Sequence, residues 1–184
     1  DLQLARYGTA LREERAYVVA FFDRIFAPRY EAVSLLGRRI SVQYRPSWKP
    51  EEDYEAVLAR LAAARERELA MGSSMSGPHR DRYIFVDEHG DFSPRASTGQ
   101  LRLLALTLRI AQAEHYSAMS GREPVLLLDD VLLELDPDKR RRFMENLPKG
   151  EQSFFTFLPG EPYGDYRAAD TLVYWTDHGR FAHT

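Results

Sequence analysis

Between Val18 and Phe26 the bulky apolar residues fall at Val18, Phe21, Phe22, Ile25 and Phe26, with Arg and Glu on the other side. That spacing follows the period of a helix and predicts one from Ala10 to about Leu36, ended or kinked at Pro28. In "RRISVQYRP" the period changes: Ile40, Val42 and Tyr44 alternate with polar residues, as in a half-exposed strand closed by Pro46. From Glu51 to about Ala70 strong helix formers dominate, with an apolar stripe at Tyr54, Val57, Leu58, Leu61 and Leu69. A helix, strand, helix unit is therefore expected up to Gly72.

"MGSSMSGPHRD", Met71 to Asp81, interrupts this pattern with small residues and proline and reads as a loop. Beyond it, "YIFV" and a turn at Asp87 to Gly90 predict a hairpin or strand end. Gln100 to Met119 is helical but apolar on two faces, Leu101, Leu104, Ala105 and Leu108 on one and Leu103, Leu106, Ile110 and Ala113 on the other. Such a helix is expected to be buried, and Ser120 and Gly121 to stop it. Three apolar runs follow, Val125 to Leu128, Ser153 to Phe157 and Thr171 to Trp175, the last with a turn at Asp177 to Gly179 and a closing strand near Phe181. The first run is continuous, which predicts a strand covered on both faces. A helix from Pro137 to Asn146, N-capped by Asp136, then supplies the crossover of a βαβ layer.

Composition narrows the picture. At 184 residues the chain can bury a real core. Its lack of cysteine excludes disulfides and Cys-based zinc sites and fits a reducing, cytoplasmic location. No apolar run approaches the roughly 20 residues that span a bilayer. The formal net charge of -3 means that any contact with nucleic acid must be a local patch. Candidates are Arg38 with Arg39, Arg80 with Arg82, and Lys139 to Arg142, the last also readable as a solvated helix face.

The chemistry gathers in two places. A strand that ends in Asp129 and Asp130 delivers carboxylates to the carboxyl edge of a parallel sheet, where open α/β sheets bind ligands. Neighbouring strand residues point to opposite faces, so both can serve one site only if the strand has begun to turn at Asp130; otherwise Asp130 simply begins a loop. In "ASTGQLRLLAL", Ser97, Thr98, Gly99 and Gln100 open a helix whose unpaired N–H groups suit phosphate oxygens, although an ordinary serine cap would look the same.

In this order, S-T-G-Q helix, apolar strand, D-D, then L-D before a further helix, the series is similar to the signature, Walker B and D-loop of ABC-type and SMC-like ATPases. "GPHRD" (Gly77 to Asp81), "STGQLR" and "LLLDDVLLELDPDKR" resemble the RecF family of bacterial recombination mediators. The resemblance implies an α/β fold: the carboxy-terminal part of an ABC-type P-loop ATPase lobe with a mostly parallel sheet (residues 77–184), plus a mainly helical second domain (residues 1–76). It further implies Asp129 as the metal carboxylate and Asp130 as the catalytic acidic residue. Ser97, Gly99 and Gln100 fall at the signature, Asp136 at the D-loop of the dimer interface, and Thr156 near the switch position. ATP and Mg²⁺ are the implied cofactors. Duplex DNA near single-strand gaps, a RecR-like mediator and a second copy in an ATP-dependent homodimer are the implied partners.

Two features depart from the family pattern. Leu133 stands before Glu134 where a small residue is usual. None of the eleven glycines is followed by lysine, so the phosphate-cradling G-x-x-x-x-G-K-[ST] loop is missing from these residues, and a longer parent protein with that segment upstream is expected. Two other readings remain: a non-catalytic module that docks a partner protein or DNA, and a metal-dependent nuclease built on Asp129, Asp130 and His79, which needs three or more ligands to converge on a metal where no spacing demands it.

Overall fold

The structure, a computed structural model, describes residues 1–130, 135–148, 150–161 and 163–183, with His183 described by its backbone alone. Leu133 and Glu134 lie outside them. The chain begins with α1 (Leu2–Ser34), which starts well before Ala10 and passes through Pro28 without ending. The early turns escape a search for bulky stripes because their buried residues are Ala5, Gly8 and Arg12. Pro28 sits on the exposed side and has no N–H to return to Arg24.

Strand β1 (Ser41–Arg45) buries Val42 and half-buries Tyr44, as alternation requires. It pairs antiparallel with β2 (Arg82–Asp87), and β2 with the two-residue β3 (Gly90–Asp91), so the predicted hairpin is present. This pairing joins segments from either side of residue 76. Between β1 and β2 runs α2 (Tyr54–Met71), capped by the Asp53 carboxylate on the Ala56 N–H and stopped by Gly72. Val57 and Leu61 are buried, but Leu69, expected on the same stripe, is 74% exposed.

The helix α3 (Thr98–Ser120) is buried on one face only. Leu103, Leu104, Thr107, Ile110 and Ala111 enter the core, whereas Leu101 and Ala105 remain exposed. It ends at Gly121 in the left-handed conformation. Then β4 (Val125–Leu128), α4 (Pro137–Glu145) and β5 (Gln152–Phe155) form the expected βαβ unit, with β4 and β5 parallel and Val125 opposite Gln152. The expectation that β4 is covered on both faces fails: Leu127 is 74% and Val125 52% exposed, and Leu128 is buried. Within these residues β4 has one sheet neighbour, β5, and core on one side. An antiparallel hairpin, β6 (Tyr174–Asp177) and β7 (Arg180–His183), closes the chain. The observed class is mixed α/β, its parallel component being the β4–β5 pair.

Two cores result. The larger joins Phe26, Tyr30 and Val33 of α1 to Ile40, Phe92, Leu103, Leu104, Ile110, Leu128 and Phe143. The smaller joins Ala5 of α1 to Trp48, Val57 and Leu61. Trp48 lies directly on Gly8: a Cβ there would come 2.5 Å from the indole and 3.1 Å from Pro78. No helix among the described residues is long and apolar enough to cross a membrane.

Candidate functional site

Strand β4 stops at Leu128, and Asp130 adopts φ 49, a left-handed conformation that aspartate tolerates better than most residues. The strand has therefore turned by its second acid, the condition under which both carboxylates can serve one site. Next to them β5 ends, and Thr156 follows. Its N–H donates to the Leu128 carbonyl (3.1 Å), extending the parallel ladder by one bond. The Thr156 hydroxyl donates to Asp129 Oδ1 (2.7 Å) and accepts from the Asp130 N–H (3.0 Å). Asp129, Asp130 and Thr156 thus meet at the carboxyl end of the parallel pair, all three exposed to solvent. The broad concavity lined by Arg122, Glu123, Val125 and Glu151 is elsewhere, at the amino end of β4.

At the start of α3, Ser97 forms a complete capping box: its hydroxyl accepts from the Gln100 N–H, and the Gln100 side chain accepts from the Ser97 N–H (2.8 Å). The ordinary cap is therefore real. Even so, Ser97, Thr98 and Gly99 are exposed, and nothing lies within 4 Å of where a Gly99 side chain would begin, so this helix end is open to a ligand or a neighbour. The preceding turn is held by Asp87, which is fully shielded from solvent and paired with Arg95 (2.6 Å) and Arg38 (3.4 Å).

Asp136 caps α4, accepting from the Lys139 N–H (2.9 Å) and from the Lys139 ammonium (2.6 Å). These bonds hold its carboxyl below the usual aspartate range. The run Lys139 to Arg142 is largely matched within the chain, Arg140 with Glu161, Arg141 with Asp138 and Glu145, and Arg142 with the Val33 carbonyl.

His79 and Arg80 form an exposed turn after Gly77. That turn is fixed by Asp81, a residue to which sequence reasoning gave no role. Its carboxylate, 4% exposed, accepts from Arg15 (2.6 Å), the Tyr44 hydroxyl (2.5 Å) and the Ser47 N–H (2.8 Å), while Arg15 also donates to the Pro78 carbonyl. Burial alone would raise the Asp81 carboxyl, but the bonds from Tyr44, Ser47 and Arg15 outweigh it and hold it low. Burial, with Asp81 as neighbour, pushes the Tyr44 hydroxyl up to about 12. Among the described residues no three His, Asp or Glu side chains converge as a nuclease reading needs.

Over 179 residues, 46% are identical to the DNA replication and repair protein RecF of Treponema pallidum, covering 97% of this chain and 50% of that protein. The chain is homologous to the RecF proteins. RecF of Moorella thermoacetica shares 35% over 159 residues, 85% of this chain and 41% of its own. A solved structure of the recombination mediator protein RecF with ATP, from the RecFOR pathway, superposes with a TM-score of 0.76 at 23% identity, over 100% of this chain and 48% of that one. The fold is accordingly the α/β fold of RecF. No protein-family model matches. The chain spans about half the length of the RecF relatives it matches.

Proposed function

We propose that this chain is the part of a RecF-like DNA repair ATPase that supplies the acidic edge and the signature helix of a nucleotide site. The observation that carries the reading is the Thr156 hydroxyl joining Asp129 and Asp130 at the carboxyl end of β4 and β5, in a chain homologous to RecF. Two exposed carboxylates and a hydroxyl are hard oxygen donors, and they suit Mg²⁺, which takes one or two carboxylates and completes its shell with water and phosphate. Bound there with ATP, the ion would neutralise phosphate charge. Asp129 would hold it. Asp130, turned out of the strand, would orient or deprotonate the attacking water, and Thr156 would fix both acids.

The phosphate-cradling loop would come from a segment outside these residues. Ser97, Gly99 and Gln100 would face the nucleotide of a second copy, through N–H groups at an exposed helix start, with Asp136 near the same interface. In that arrangement ATP is the glue of a dimer on duplex DNA near single-strand gaps, and hydrolysis releases it; a RecR-like protein is the expected partner and the cytoplasm the expected location. Since the chain has no G-x-x-x-x-G-K-[ST] loop, by itself it would act as a docking module.

Joining the chain to an amino-terminal segment that carries such a loop should produce ATP hydrolysis. Asp130→Asn should then slow turnover on the order of 10²-fold or more while ATP still binds. Turnover indifferent to that substitution would overturn the reading.

A further inference from the structure

We infer that the outer face of the β1–β2–β3 sheet, at the end bearing Arg45 and Arg82, is a contact for the phosphate backbone of nucleic acid. The inference rests on the proposed role in DNA repair and names the surface that role would use. Arg45 and Arg82 stand directly opposite each other in the antiparallel register. Like charges so placed destabilise a sheet. Both are exposed, on the face opposite to the one through which Val42 and Tyr44 pack. Among the described residues the Arg45 guanidinium bonds to the Gln43 side chain (3.1 Å), and neither arginine is paired with a carboxylate.

That contrasts with the arginines around them. Arg15, Arg38, Arg39 and Arg95 each reach a carboxylate, on Asp81, Asp87, Asp23 and Asp87 respectively. Acids are thus available to neighbouring elements, and the sheet face is left with two opposed cations that lower its own stability. A fold keeps such a conflict where an outside ligand resolves it. Arg80, two residues before Arg82, is exposed too, with its guanidinium held on the Ser74 carbonyl at 2.8 and 3.2 Å.

The ligand chemistry follows from the donors. Guanidinium forks on adjacent strands suit a row of phosphates, each able to accept in bidentate fashion, whereas a single carboxylate would satisfy one of them. With a net charge of -3 the chain as a whole does not attract a polyanion, so attraction has to be local.

The test is fluorescence anisotropy of a labelled DNA duplex titrated with the whole chain at several salt concentrations. Arg45→Gln combined with Arg82→Gln should weaken binding at least tenfold and reduce the slope of log affinity against log salt by about 2. Arg82→Glu alone should weaken binding and raise the melting temperature, because repulsion across the strands becomes attraction; an arginine with a merely structural role would lower both. Variants that bind duplex as the unsubstituted chain does would overturn this surface and leave the repair reading standing. An unsubstituted chain without affinity for duplex would also overturn the surface, while the repair reading is decided separately by ATP hydrolysis of the chain joined to its phosphate-loop segment. Loss of binding to polyglutamate with duplex binding intact would assign the face to an acidic protein and overturn the inference.

Discussion

Replacing Asp81 by asparagine keeps the side chain's shape but removes the charge that faces Arg15, and it leaves Tyr44 and the Ser47 N–H with a weaker acceptor. Breaking a shielded pair in this way costs about 3 kcal/mol. The sign of its pH dependence follows from the carboxyl being held below its ordinary value of 3.8. Its contribution is complete above that value and fades as pH falls through the lower folded value. Urea melts of Asp81→Asn and the unsubstituted chain should therefore differ most near neutral pH and converge in strong acid. A constant difference throughout would mean that the charge contributes nothing. None of this was legible beforehand, because Arg15 and Tyr44 lie 66 and 37 positions away. The meeting of Asp129 and Thr156 was legible, since a parallel βαβ unit brings the ends of its strands side by side. Their joining through one hydroxyl was not, as it depends on the backbone turn at Asp130.

Among the elements, β4 separates what periodicity states from what it omits. Four consecutive apolar residues specified a strand in a parallel pair, and that is its structure. They could not say how many faces these residues cover. Leu128 is buried with Phe143, while Leu127 points to solvent. Leu128→Ala should cost about 2–4 kcal/mol and Leu127→Ala under about 0.5, measured by denaturant melts of the whole chain. Equal losses would show that β4 is covered on both sides after all. The first turns of α1 were missed for a different reason. Helix packing there depends on Ala5 and Gly8, residues too small to register as an apolar stripe.

At the scale of the whole molecule the two cores make a prediction about cooperativity. Trp48→Ala empties the centre of the smaller one, a change that typically costs 3–5 kcal/mol. Amides of α2 should lose protection from hydrogen exchange, while those from Leu103 to Ala111, seated in the larger core, keep theirs. If both sets weaken alike, the chain unfolds as one unit. What links the two regions is α1, 33 residues and so about 50 Å long. Near its middle Arg15 grips the Pro78 carbonyl and Asp81; near its carboxyl end Arg29 meets Glu114 and the Asn146 carbonyl, and Arg142 reaches the Val33 carbonyl. Because one continuous helix carries both sets of bonds, the turn at Pro78 to Asp81 and the helix begun by Asp136 are held at a fixed spacing.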